Sequence, residues 1–84
     1  SKRNGISEAV EMHVQDYLTV HTESFPSDGL YDQILKEVER PLIINTLHFT
    51  RGNQLKSAKI LGLNRNTLRK KIHELNIPVT RVPK

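Results

Sequence analysis

At 84 residues and 9.7 kDa, with no cysteine, the chain holds one small domain and has neither a disulfide framework nor a cysteine-based zinc site to brace it, so helix packing and a second copy must supply stability. No apolar run approaches the ~20 residues that cross a bilayer, and the opening residues are not followed by the apolar core of a signal peptide, so a soluble cytoplasmic protein is expected. The net charge of +4 conceals a split: residues 1–50 carry four Lys/Arg and eight Asp/Glu, whereas residues 51–84 carry nine Lys/Arg and the single acid Glu74, a balance that favours nucleic acid or an anionic surface over acidic metabolites.

The first helix is predicted over 7–22, where Val10, Val14, Tyr17 and His21 recur at helical spacing with Leu18 beside them. Ser7 serves as its expected N-cap, and Glu8 and Glu11 lie in the first turns, where the helix dipole favours acids. Residues 23–29, Glu-Ser-Phe-Pro-Ser-Asp-Gly, are turn formers, and Pro26 pushes Phe25 away from helical dihedrals, so a linker follows. The second helix is predicted over 30–49, with Leu30, Ile34, Val38 and Leu42 on one line and Leu35, Leu42, Thr46 and Phe49 on the adjoining one. Within it, Pro41 removes a backbone donor and clashes with the carbonyl of Glu37, a cost of ~3 kcal/mol in a helix interior, so a kink or a restart at Pro41 is expected. Thr50-Arg-Gly-Asn53 then supplies a stop at the glycine and an N-cap at Asn53.

The third helix, over 54–61, is short and apolar on more than one side through Leu55, Ala58, Ile60 and Leu61, so it must survive by packing. Gly62-Leu63-Asn64 forms a turn. A fourth helix, over 65–75 and capped by Asn64, carries Leu68, Ile72 and Leu75 on one face. Ile77-Pro78 ends the folded part. The expected architecture is all-α, with four helices per chain: residues 1–50 form a helical pair for dimerisation through Val10, Val14, Tyr17, Leu18, Ile34 and Val38, residues 51–78 form a helix-turn-helix, and residues 79–84 are a loose basic tail.

The order Ala58, Gly62, Leu63, Leu68 has a steric reason at each position. Two helices crossing steeply need a small side chain where their backbones approach, as at Ala58. The turn needs a residue that takes positive φ cheaply, as at Gly62. Leu63 and Leu68 then fill the angle between the helices. On a helical wheel Leu68, Ile72 and Leu75 fall within an arc of about 60°, while Asn66, Lys70 and Glu74 lie opposite, flanked by Arg69 and His73 on one side and by Thr67 and Lys71 on the other. Such a helix places its first turn deepest in the DNA major groove. Arg65 can fork onto guanine O6 and N7, and Asn66 can bond adenine or a phosphate. Thr67, Arg69, Lys70 and Lys71 suit phosphates, which fix register without reading sequence. Asn53, Gln54 and Lys56 can hold a phosphate at the N-terminus of the preceding helix. For Asn53 and Asn64, capping stands beside DNA contact. His13, His21, His48 and His73 lack the close spacing of a metal site and are expected at the surface or in packing. No metal or cofactor is expected, and no nucleophile, base and orienting acid can be picked out that would make an enzyme.

The stretch Pro41-Leu-Ile, Thr50-Arg-Gly-Asn-Gln54, Ala58 and Leu61-Gly-Leu-Asn-Arg-Asn-Thr-Leu-Arg-Lys-Lys71 resembles the Fis family and the Fis-type C-terminal domains of bacterial enhancer-binding activators. With Ser7-Glu-Ala-Val10, Gly29-Leu-Tyr-Asp32 and Ile77-Pro-Val-Thr-Arg81, the resemblance extends over nearly the whole chain and points to the nitrogen-regulating activators of alphaproteobacteria. It implies a homodimer in which the first two helices of each chain interlock, a palindromic double-stranded enhancer site and no membrane partner. It also places the residues matching Asn53, Asn64, Arg65, Thr67 and Lys70 at the DNA. Asn66 departs from the glycine of Fis, and Leu55 replaces a polar residue there. Activators of this kind also carry a phospho-receiver domain and an ATPase that remodels polymerase bearing the nitrogen-type alternative sigma factor. No Gly-x-x-x-x-Gly-Lys loop occurs in this chain, so no ATP hydrolysis is expected of it. Two rival readings are a free-standing Fis-like protein that bends DNA with weak sequence preference and a module whose basic helix docks on an acidic partner or RNA.

Overall fold

In the computed structural model, residues 5–20 and 29–79 are described, in the order α1 (Ile6–Val20), α2 (Leu30–Phe49), α3 (Gln54–Leu61) and α4 (Arg65–Glu74). Among the described residues there are four helices and no strand, as an all-α fold requires. His21 and Thr22, residues 23–28 of the linker expected over 23–29, and tail residues 80–84 lie outside the described residues. The chain divides into two compact units, residues 1–34 and 35–84, with the divide falling inside α2.

In the first unit α1 begins one residue before the expected cap. The Ala9 amide donates to the Gly5 carbonyl at 3.2 Å, so Ser7 lies inside the first turn and Gly5 precedes the helix. The end is exposed, and water satisfies its remaining amides without a capping hydroxyl. Val10, Val14 and Tyr17 are half-buried and Leu18 is exposed; no residue of α1 is buried. At the start of α2 the Gln33 amide donates to the Gly29 carbonyl at 3.1 Å.

In the second unit α2 continues through Pro41 with no break. The expected restart at that position is therefore corrected. Pro41 and Glu37 are both exposed, so water can reach the Glu37 carbonyl that the proline leaves without a donor. The next turn is braced by side chains: Asn45 Nδ2 donates to the Pro41 carbonyl at 2.7 Å and Thr46 Oγ1 to the Leu42 carbonyl at 2.8 Å.

The core of this unit is made by Ile43 and Leu47 of α2, Ala58 of α3, Leu68 and Ile72 of α4, and Leu75 and Ile77 beyond it, with Ile44, Leu61 and Leu63 packed against them. Periodicity alone had favoured a different line on α2, yet Leu35, Leu42 and Phe49 are 40, 51 and 77% exposed. Both lines are apolar, and only the tertiary partner decides which is covered. Likewise α3 packs through Ala58 and Leu61, whereas Leu55 and Ile60 face solvent.

One polar side chain is wholly buried among the described residues: Ser57. Its hydroxyl lies 2.7 Å from Thr50 Oγ1, which in turn lies 3.2 Å from the Leu47 carbonyl oxygen and 3.1 Å from that of Asn53. This set of bonds meets the requirement that a buried hydroxyl be paired and ties the end of α2 to the first turn of α3.

Gly62 adopts φ +73°, and a Cβ built there meets no atom within 4 Å. The cost of adding a methyl group is therefore backbone strain alone. Gly62→Ala should lower unfolding free energy by about 1 kcal/mol, and Gly62→Asn by less; urea titration of the two variants checks the order.

Candidate nucleic-acid interface

The reach between α3 and α4 is set by two closures. The Gly62 amide donates to the Lys59 carbonyl at 3.2 Å and the Leu63 amide to the Ala58 carbonyl at 2.9 Å, the paired bonds of a Schellman stop, with Gly62 as its left-handed residue. Asn64 then starts α4 in extended geometry (φ −64°, ψ 143°). Its Oδ1 accepts the Asn66 amide at 2.8 Å, while its carbonyl accepts the Leu68 amide at 2.9 Å. Only three residues separate the two helices, so α4 is held close against α3.

Leu68 is wholly buried and Ile72 nearly so. Since they fix the inward face of α4, Arg65, Asn66, Thr67, Arg69 and Lys70 stand exposed together. Asn53 and Lys56 are exposed at the start of α3, with Gln54 half-buried beside them. Asn53 caps that helix, its Oδ1 accepting the Lys56 amide at 3.0 Å. In both Asn53 and Asn64 the cap uses the amide oxygen, so the amide nitrogen remains a donor for an anion. Capping and contact, both expected of these two asparagines, are compatible in this geometry.

Lys71 stands apart from this group. Its ammonium lies 2.8 Å from Glu39 Oε2 of α2, the one ion pair among the described residues. The hydrogen bond to Glu39, opposed by partial burial and reinforced by the charges of Glu39 and Glu74, holds its pKa above the usual lysine range. Next to Glu39, Arg40 donates from a guanidinium nitrogen to the Leu75 carbonyl, where the negative end of the α4 dipole favours a cation. Sequence periodicity gave no sign of either contact, since the partners lie 32 and 35 positions apart. Two further exposed cations were also passed over, Arg51 and Lys59. The excess of nine Lys/Arg over the single acid Glu74 in residues 51–84 is the signal that includes them.

Arg65, Arg69 and Lys70 are thus fixed on the solvent face of a capped, packed helix with no acidic partner among the described residues. Such a surface binds polyanions through several phosphates at once and can present a forked guanidinium to a base edge.

A family profile described as bacterial regulatory protein, Fis family, matches residues 34–75. The chain belongs to this family. Its relatives include the DNA-binding transcriptional regulator NtrC of Azospirillum brasilense, 61% identical over 92% of this chain, and that of Rhizobium meliloti, 54% identical over 90% of it. The chain spans about a sixth of the length of these regulators, 16% in each case. A putative Fis-like DNA-binding protein of Neisseria meningitidis serogroup A is 40% identical over 80% of this chain, which covers 84% of that protein.

The cap at Asn64 can be separated from any contact its amide makes. Asn64→Ala should cost about 1 kcal/mol of stability, whereas Asn64→Asp, an equally good N-cap, should cost little; chemical denaturation of the two variants checks this.

Proposed function

We propose that this chain is the sequence-specific DNA-binding domain of an NtrC-type activator, which it tethers as a homodimer to palindromic enhancer sites. The observation that carries the reading is the exposed cluster of Arg65, Arg69 and Lys70 on α4 behind the closed turn at Gly62 and Asn64. In this reading α4 enters the major groove, Arg65 reads a base, and Asn64, Asn66, Thr67, Arg69 and Lys70 lie along its walls. Asn53, Gln54 and Lys56 hold a phosphate at the start of α3. The role is binding rather than catalysis, and it belongs in the bacterial cytoplasm, on the nucleoid.

The dimer reading rests on apolar surface that the chain leaves uncovered. Leu35, Leu42 and Phe49 of α2 recur at seven-residue spacing and are all exposed, and no residue of α1 is buried. Val10, Val14, Tyr17, Leu18, Ile34 and Val38 belong with them in the proposed dimer core. The remaining length of the NtrC relatives supports a larger regulator, whose receiver and ATPase domains answer to a two-component signal and act on polymerase bearing the nitrogen-type sigma factor.

A second reading, a free-standing Fis-like DNA-bending protein, draws on the 84% coverage of the Neisseria relative. Its lower identity, 40% against 61% for the Azospirillum regulator, favours the first.

Fluorescence anisotropy with a palindromic enhancer duplex and a scrambled duplex, with mass in solution measured alongside, tests the proposal. A dimer should prefer the palindrome by ~10³-fold or more. Equal affinity for both duplexes would favour the architectural reading, and absence of binding would remove both. Within the preferred complex, Arg65→Ala should lose ~1 to 3 kcal/mol on the palindrome and relax base preference, whereas Lys70→Ala should weaken both duplexes alike. Equal losses on the two duplexes for Arg65→Ala would refute its role as a base reader.

A further inference from the structure

Lys71 follows Thr67 by one turn of α4, on the flank of the face that carries Asn66 and Lys70. A lysine placed there ordinarily adds to the phosphate contacts of a recognition helix. Here its ammonium is engaged at 2.8 Å by Glu39, and both side chains are half-buried, with 30 and 27% of their surface exposed. We propose that Glu39 withholds Lys71 from the DNA backbone, so that this position contributes no phosphate neutralisation and the domain's sequence-independent affinity is set one contact lower per chain than its cationic helix would give. The inference rests on the DNA-binding reading above.

The physical case is one of charge balance. Phosphate contacts strengthen binding by releasing condensed counterions, equally for every sequence. A lysine already paired with a carboxylate brings no net charge to the duplex. Transferring it to a phosphate would leave the half-buried Glu39 carboxylate without its partner and beside a polyanion of the same sign, which opposes the exchange. Alkaline loss of the lysine proton offers no escape at physiological pH, since the bond to Glu39 holds the ammonium form more firmly than usual. Arg65, Arg69 and Lys70 have no such partner among the described residues. The α4 cations therefore fall into two groups, those presented to a polyanion and one held back.

The test is the salt dependence of binding to the scrambled duplex by the wild-type chain, Glu39→Gln, Lys71→Gln and the double variant. The slope of log affinity against log salt is the readout, because a partly unfolded fraction lowers apparent affinity without imitating an added phosphate contact. Glu39→Gln should steepen the slope by about 0.9 for each Lys71 released and tighten binding to palindrome and scrambled duplex by the same factor. Lys71→Gln should leave the slope at the wild-type value, and the double variant should return to it. A shallower slope for Lys71→Gln would show that Lys71 reaches phosphate despite Glu39 and would overturn the inference. So would an unchanged slope for Glu39→Gln, or a double variant as steep as Glu39→Gln, which would assign the effect to the carboxylate's own repulsion. Wild-type protein that binds neither duplex would instead overturn the DNA-binding reading itself.

Discussion

A helix stop closed at a left-handed residue, repeated three times, is the constraint on which the second unit depends. Arg51, Gly62 and Asn76 have φ of 57, 73 and 53°. At each, the following amide reaches back five residues: Gly52 to the Leu47 carbonyl at 2.8 Å, Leu63 to Ala58 at 2.9 Å and Ile77 to Ile72 at 3.0 Å. These bonds satisfy carbonyls that a helix end would otherwise leave open. They also turn the chain back on the helix it has just left. Leu47, Ala58 and Ile72, whose carbonyls accept the bonds, are all core residues, and Leu63 and Ile77, which donate two of them, pack on the same cluster. Helix termination and core formation are one event here. That coupling lets helices of eight and ten residues persist, although neither length is stable alone in water.

From this follows the placement of the cationic surface. Gly62 and Asn64 leave little freedom in the connection, and Leu68 fixes the rotation of α4 about its axis. The residues opposite Leu68 then face outward as a matter of helical geometry. Glu39 and Arg40 hold the last turns of α4 from adjacent positions on α2, one through the Lys71 ammonium and the other through the Leu75 carbonyl. The end of α4 nearest Arg65 is thus oriented by its cap, and the far end by α2.

The local features of this fold were legible in the sequence because their causes are local. Asn53 and Asn64 cap where short polar side chains precede helical periods, and Gly62 stops α3 where only positive φ will serve. The inward face of α4 has one apolar line, so periodicity had a single answer. On α2 it had two. The choice of Ile43 and Leu47 over Leu42 and Phe49 depends on where α3 and α4 pack, which no local pattern encodes. Arg51 illustrates the same limit: Gly52 looked like the stop, yet the non-glycine residue before it takes the first left-handed position, and the buried Gly52 follows with φ +83°. Pro41 misled for a different reason. The penalty of ~3 kcal/mol is local, whereas Ile43, Ile44 and Leu47 just beyond the proline pack in or against the core and hold the helix across it. Lys71 is placed toward phosphate by its neighbours on the wheel, and its pairing with a carboxylate more than thirty positions away is invisible to that pattern.

The uncovered line on α2 bears on why the charge of the chain is divided as it is. Residues 1–50 are acidic on balance and contain α1 and α2, while the cations are gathered in residues 51–84. If two copies meet through Leu35, Leu42 and Phe49, as proposed above, the acids Glu37 and Glu39 of the same helix lie close to that contact. A polyanion is then attracted to the helix-turn-helix units and repelled from the segment that joins the copies. Burial of the same apolar line would add to a core of seven buried apolar side chains, which is small for a lone domain. In the dimer proposed above, the association that covers the apolar line of α2 and the charge pattern that draws DNA to α4 would be two consequences of one arrangement.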